Sequence, residues 1–332
     1  MMMDILYKTA SGIQVELSYV YPEMYGAVGN GITDDYSAFQ EMFSGGNKVI
    51  VLRPGASYLI NGHINVYSNT IVLGNGAWID ARQSPFIIGE SGDYAYAYDG
   101  SKNVEFRNLL ISVNNYATDH IIMAHAQDIR IIDCELFNNN EHSIELNSSK
   151  NVLIQNCIFR NIAPPATIPE GRQIEAINID PAHTGATINM GYFDDTISDY
   201  IKIVGCVFEN CWCPVGNHNE TPYASQDIIF RNNDVRGCYR GAQLHSYGNI
   251  FIENNFFNVS EKGIRLIGAH DVTIAGNNVV SEDSAVSVES TTENVFIRDN
   301  IIDTDSETPI SIANTASRII TAQNIINDVL VN

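Results

Sequence analysis

NVLIQNCIFRNI, residues 151–162, is a short β-prone run, a polar corner, a cysteine and a second β-prone run. The plan recurs in NVEFRNLLI (103–111), DIRIIDCELF (128–137), YIKIVGCVFENC (200–211) and DIIFRNNDVRGC (227–238). It continues in NIFIENNFF (249–257), DVTIAGNNVV (271–280), NVFIRDNII (294–302) and RIITAQNII (318–326). With the central Cys or Asn as marker, the copies sit at Leu109, Cys134, Cys157, Cys206, Asn233, Asn255, Asn278, Asn300 and Asn324. Steps between markers run from 22 to 27 residues, except for 49 between Cys157 and Cys206. That period is one coil of a parallel β-helix, in which three short strands make a turn and like residues stack on like. The long step contains EAINID (175–180), so it reads as one coil carrying a large insertion. Leucine-rich repeats share the period, but their leucine-and-asparagine spacing and helical segments are missing.

The bulk properties fit one large β-domain. The chain has 332 residues, 45% hydrophobic and 17% charged, enough to build an extended core. A net charge of −21 argues against nucleic-acid binding, which needs clustered Lys and Arg. It also disfavours a polyanionic sugar held by simple attraction. No run approaches the roughly 18 apolar residues of a membrane span, so no membrane insertion is expected. The start, MMMDILYKTASG, lacks the basic and apolar regions of a signal peptide. Cys134, Cys157 and Cys206 fall at the marker, and Cys211 and Cys238 each five residues past theirs, which points to buried small hydrophobes rather than disulfides; Cys211 and Cys213 as a CxC are weak evidence of a metal site.

The stretch YGAVGNGITDDYSAFQEMF (25–43) resembles the opening motif of pectin-lyase-like right-handed β-helix proteins, with Asn30 where that family usually has Asp. The fold class expected is therefore all-β: a single-stranded right-handed parallel β-helix with a short N-terminal capping helix. Residues 1–45 would form the N-terminal segment and cap, and 46–332 the β-helix, with insertions near 181–199 and 219–226. Thr33 is expected to cap the helix, Asp34 and Asp35 to lie in its first turn, and Ala38, Phe39, Met42 and Phe43 to cover the open core. The middle of the chain resembles a narrower group, the β-helix tail-appendage proteins of phages infecting Gram-positive bacteria. The matches are Glu175–Asp180, Gly216-Asn217-His218 and Gln243-Leu244-His245. This resemblance implies a virion tail location (alternatively secretion), other tail proteins as partners, a homotrimer, and wall teichoic acid or a wall or capsular polysaccharide as target. Polygalacturonase signatures of the NTD and DD type are absent, which disfavours pectin.

Strand alternation then sorts side chains into core-facing and outward positions. In SIELN (143–147), Ile144 and Leu146 point inward, leaving Glu145 and Asn147 outside; in EAINID, Ile177 and Ile179 point inward, leaving Asn178 and Asp180. The repeat register extends this ladder from His120 and Ile122 through Glu145 and Asp180 to Gly216 and His218. It continues with Gln243 and His245, Arg265, then Ser287 and Glu289. Coils lie about 4.8 Å apart, close enough for Glu145 and Asp180 to share a substrate and separate their pKa values. Candidate catalytic residues are Asp180, Glu145, Glu175, His218 and His245. Candidate substrate contacts are Asn178, His183, Gln243, Arg265 and Tyr223. Polar residues on a solvated sheet are ordinary; two histidines and flanking insertions raise this ladder above that background. Glu175 has inward parity, so it must sit at a bend or be buried with partners. Tyr192, Phe193 and Trp212 are candidate sugar-stacking aromatics.

No cofactor is expected, and no metal: Asp194, Asp195 and Asp199 lack calcium-loop spacing. The favoured activity is hydrolysis by a carboxylate pair. The alternatives are a non-catalytic receptor-binding or structural tail protein, and a cellular polysaccharide lyase or epimerase. A lone arginine on the ladder weighs against the last.

Overall fold

A polar residue with positive φ turns each repeat copy through its corner. A computed structural model of the chain describes residues 4–9, 12, 14–88, 95–167, 172–183, 193–217, 225–327 and 329–331. In it the residue before each marker, or two before in the Asn278 copy, is left-handed: Asn108, Asp133, Asn156, Gly205, Asn232, Asn254, Gly276, Asp299 and Gln323 all have φ between 53° and 68°. Asn, Asp and Gly tolerate this region best, which explains the composition of the corners. Two strands meet at each corner, and the chain between copies supplies a third.

The outcome is a right-handed parallel β-helix of about 12 turns. Two of its faces form a continuous network of 24 strands, because Thr70–Ala81 and Lys102–Ser112 run through the corner between them. The third face is a separate ten-stranded sheet running from Ile64–Val66 to Ile310–Ile312. Every pairing within it is parallel, and its register carries the site. The 49-residue step holds one coil of this sheet, Glu175–Asp180, as expected.

Inside, like stacks on like. Phe159, Phe208, Phe230 and Phe257 form a buried aromatic column, with the Phe159 and Phe208 rings 4.8 Å apart. Cys157 donates to the Ile131 carbonyl (3.4 Å) and Cys206 to that of Ile154 (3.7 Å). All six thiols are free and buried. From Asn233 onward the same column is amide. Asn277 Oδ1 accepts from the Asn255 backbone N (3.0 Å) and Nδ2 (2.9 Å), while its own Nδ2 donates to the Ile252 carbonyl (2.9 Å). The stacking member is thus Asn277 and not Asn278, which is exposed at the start of the next strand. Gly276, rather than Asn277, takes the left-handed corner, and that fixes the register.

The capping helix spans Tyr36–Phe43 and buries Ala38, Phe39, Met42 and Phe43 against the first coils. The Phe39 ring packs 5.0 Å from Tyr58, and Phe43 packs 5.8 Å from Phe86. Thr33 is not its cap. The chain stays extended through Asn30–Asp34, paired with Ser57–Ile60, so the helix starts later with Asp35 as N-cap. Asp35 instead accepts from the Val28 N (2.7 Å) and Gly29 N (3.0 Å), fastening the preceding loop to the helix.

Replacing Asn277 by Ala would leave the Asn255 N–H and the Ile252 carbonyl unpaired in the core. We expect a loss of about 2–4 kcal/mol in urea unfolding, against no more than about 0.5 kcal/mol for Asn278→Ala.

Candidate active site

The ladder expected from the repeat is present. Ile122, Glu145, Asn178, Gly216, Gln243, Arg265 and Ser287 are paired one coil to the next along the ten-stranded sheet. Asp180 pairs with Asn147 one strand position on, so Glu145 and Asp180 are diagonal neighbours. Unlike a solvated sheet face, much of this ladder is buried: Asp180 is 3%, Asn178 2% and Gln243 0% exposed.

Burial here goes with dense pairing. The Asn178 amide donates to Glu145 Oε2 and to Asp180 Oδ2, each at 3.0 Å. One nitrogen therefore spaces the two carboxylates, whose bonded oxygens cannot lie further apart than twice that distance. Asn147 Nδ2 donates to the other oxygen of Glu145 (3.0 Å).

A second column stands beside the first, three residues upstream of each ladder position: Asp119, His142, Glu175, Cys213, Arg240 and Lys262. Glu175 belongs here, paired with Cys213, and its side chain is fully buried. It accepts from Gln243 Nε2 (3.3 Å) and lies 3.9 Å from His142 Nδ1. His142 Nε2 is 3.9 Å from Glu145 Oε2 and 3.8 Å from Glu141 Oε1. Asp119, His142, Gln173 and Arg240 were not among the sequence candidates. The offset of three was visible, but its opposite parity placed His142 with the inward Ile144.

Electrostatics separates the carboxyls. Burial, reinforced by Asp180, pushes Glu145 up to about 7 against the pull of His142 and the two amides. Burial and the neighbouring Glu145 raise Asp119 well above the carboxylate range. For His142 burial opposes the charge, but Glu145, Glu175 and Asp119 outweigh it and lift the imidazole to about 9. These directions set an imidazole that favours its charged form beside two carboxyls, Asp119 and Glu145, that favour their protonated forms.

Gln243 joins this acidic half to a basic one. Its Oε1 accepts from Arg265 Nη1 (3.2 Å) and from Arg240, and its Nε2 donates to Gln173. Arg265 is bidentate with Glu289 (3.0 and 2.9 Å), and Arg240 is paired with Glu261. The Arg240 guanidinium stacks 5.0 Å from the Trp212 ring and 5.7 Å from Tyr239. Trp212 is consequently a buried wall residue, not an exposed sugar platform.

Other candidates sit at the periphery. His183 bonds Asp195 Oδ1 (2.8 Å), clasping the base of the inserted loop. His245 is buried, with its backbone N held by Asn217 Oδ1 (2.9 Å). His120 bonds Ser143 Oγ and the Phe137 carbonyl, and burial lowers it to about 4, so it is a neutral structural residue. His218, Tyr223 and Tyr192 lie outside the described residues. Asp194, Asp195 and Asp199 face three different partners, the Ala97 N–H, His183 and Lys150, and do not converge as a cation cage would require.

Comparison with known proteins supplies the family. Residues 23–329 match the model of the family described as rhamnogalacturonase A/epimerase, pectate lyase-like, and the chain belongs to it. It is 25% identical to the pre-neck appendage protein of Bacillus phage B103, over 93% of this chain and 36% of that protein. It is 24% identical to that of Bacillus phage phi29, over 78% of this chain and 32% of that protein. The chain thus spans about a third of the length of these relatives. PfbA, a surface adhesin of Streptococcus pneumoniae, shares the fold with a TM-score of 0.74 at 16% identity, covering 93% of this chain and 88% of that one. The tailspike of E. coli bacteriophage HK620, solved with a pentasaccharide, superposes with a TM-score of 0.68 at 13% identity, covering 99% and 67%.

A raised Glu145 destabilises the fold as it ionises, since the folded state binds the proton more tightly than the unfolded chain. That penalty is absent below about 4.5 and is complete once the pH has passed about 7. Glu145→Gln cannot ionise, so its unfolding midpoint should rise relative to wild type between pH 5 and pH 8. A constant offset across that range would refute the assignment.

Proposed function

We propose that this member of the rhamnogalacturonase A/epimerase, pectate lyase-like family is a phage tail appendage β-helix that binds a bacterial cell-surface glycopolymer and hydrolyses it. The observation that carries the reading is the pair Glu145 and Asp180, spaced by one amide, with Glu145 held above the ordinary carboxylate range by burial and by Asp180. Glycoside hydrolysis asks for this inequality: one carboxyl holding a proton near neutral pH, and another in a separate environment to serve as base.

Glu145 donates its proton to the leaving glycosidic oxygen as the bond to the anomeric carbon breaks. Asp180 faces the positive charge that develops there and takes a proton from the incoming water, whose oxygen completes the product. Asn178 holds both groups apart and aligned. Gln243 and Arg265 bind hydroxyl or acidic substituents beside that pair, with His183 and Tyr223 as further proposed substrate contacts. His218 and His245 are the alternative acid–base groups, and Glu175 the alternative carboxylate. The similarity to pre-neck appendage proteins supports a tail location beside other virion proteins. Wall teichoic acid or a wall or capsular polysaccharide is the proposed target, and a homotrimer the proposed assembly. A second reading, adsorption without cleavage, is favoured by the deep burial of Asp180 and by the fold shared with an adhesin.

Purified Bacillus cell walls incubated with the protein separate the readings. New reducing ends indicate hydrolysis; products absorbing in the ultraviolet indicate a lyase; retention without release indicates an adhesin. Asp180→Asn should lower the rate of reducing-end release by more than about 100-fold while leaving the folded β-helix intact. Full activity in that variant would overturn the assignment.

A further inference from the structure

His142 lies in a turn just before the Glu145 strand, and its backbone is fixed. Asn139, itself fully buried, donates its amide to the His142 carbonyl (2.8 Å) and to that of Thr118 (3.0 Å). Ser143, the next residue, donates its N–H to the Ala176 carbonyl of the following coil (2.8 Å). The ring is placed with equal definition. Nδ1 lies 2.8 Å from the Glu175 backbone carbonyl, and because a carbonyl can only accept, Nδ1 carries a hydrogen. Nε2 then faces Glu141 Oε1 at 3.8 Å and Glu145 Oε2 at 3.9 Å. A bare lone pair there would oppose carboxylate oxygens, whereas a second proton turns both approaches into attraction.

We infer that His142 is a positioning residue of the hydrolytic site: as an imidazolium it holds the Glu145 carboxyl in place and limits how tightly that carboxyl keeps its proton. The inference rests on the reading of Glu145 as proton donor. The groups facing the ring come from four places. Glu141 lies on its own turn and is paired with Arg172 from the segment preceding the Glu175 strand. Glu145 lies on Ile144–Asn147, and Glu175 opens Glu175–Asp180 on the next coil. Asp119 precedes Ile121–Ala124 on the coil before, and its Oδ1 is buried with no hydrogen bond among the described residues. Without the cation, Glu145 would have burial and Asp180 acting on it in one direction with only two amides to oppose them. A donor that holds its proton too firmly is a poor general acid, so the histidine tunes Glu145 without touching substrate.

The test uses the full chain. In His142→Gln the alkaline limb of the pH–rate profile on Bacillus cell walls should move up by roughly one pH unit or more, with kcat reduced and KM little changed. The 13C-detected titration of the Glu145 carboxyl, recorded without substrate, should move the same way. A rate that falls at every pH with both midpoints unmoved overturns the inference and leaves His142 a structural residue. If wild type cleaves no wall polymer, the hydrolytic reading fails, yet the carboxyl titration still decides whether His142 acts on Glu145. Should the variant not fold, 15N spectra of wild-type His142 remain decisive: both ring nitrogens protonated at pH 7.5 supports the inference, and a neutral ring at that pH overturns it.

Discussion

Coil-to-coil register is the constraint on which the rest of this molecule depends. Each turn of the β-helix delivers one residue to each column, and parallel hydrogen bonding holds successive turns about 4.8 Å apart. Asp119, His142, Glu145, Asn178, Asp180, Gln243 and Arg265 span six coils of one sheet and meet only because that register is kept. A slip of one residue in any coil would turn its polar ladder member into the core. The interior columns guard against that. From Cys157 to Asn324 the cysteine and asparagine stack hydrogen-bonds each coil to the one before it, and the left-handed corner ahead of each stacked residue fixes where the strand begins. Structural repetition and site geometry are therefore the same fact seen from two sides of the sheet.

Burying carboxyls in a chain of net charge −21 is unfavourable unless local groups answer each one. They do so here in sequence along the axis. His142 answers Glu145 and Glu175; Asn178 answers Glu145 and Asp180; Gln243 answers Glu175 and hands its carbonyl oxygen to Arg240 and Arg265. The arginines in turn meet Glu261 and Glu289. Such a chain stabilises its members less than apolar packing of the same volume would, and perturbed, mutually dependent carboxyls in this setting point to a site of chemistry. The acidic half is compact, with one amide bridging Glu145 and Asp180, and the basic half is tied into ion pairs with Glu261 and Glu289.

Much of this was legible in the sequence. The period gave the coil, alternation gave the face, and the two together placed Glu145, Asn178, Gln243 and Arg265 in one row with the register observed, and Asp180 on the same face beside it. The misses share a cause: parity works along a straight strand and fails where the chain bends. His142, Glu175 and Arg240 stand three positions before the ladder, at the bend, so they carry inward parity without entering the core. Glu175 was the visible anomaly, and the same offset in the other coils would have exposed the whole column. The enclosure of Gln243 was not legible, because Gln173 reaches it from far along the chain and Arg240 from the bend before its own strand. Thr33 and Asn278 failed by a residue or two, where pairing with Ser57–Ile60 and the Gly276 corner overrode the local pattern.

One ladder position carries no side chain. Gly216 stands between Asn178 and Gln243 with φ of 148°, and a Cβ there would fall 1.7 Å from the Gln243 carbonyl oxygen. The Gln243 backbone already fills the space that a side chain at 216 would take. A Cβ there would push the Gln243 strand away from the coil that carries Gly216, so the glycine keeps the Glu145–Asp180 part of the sheet in register with the Gln243–Arg265 part.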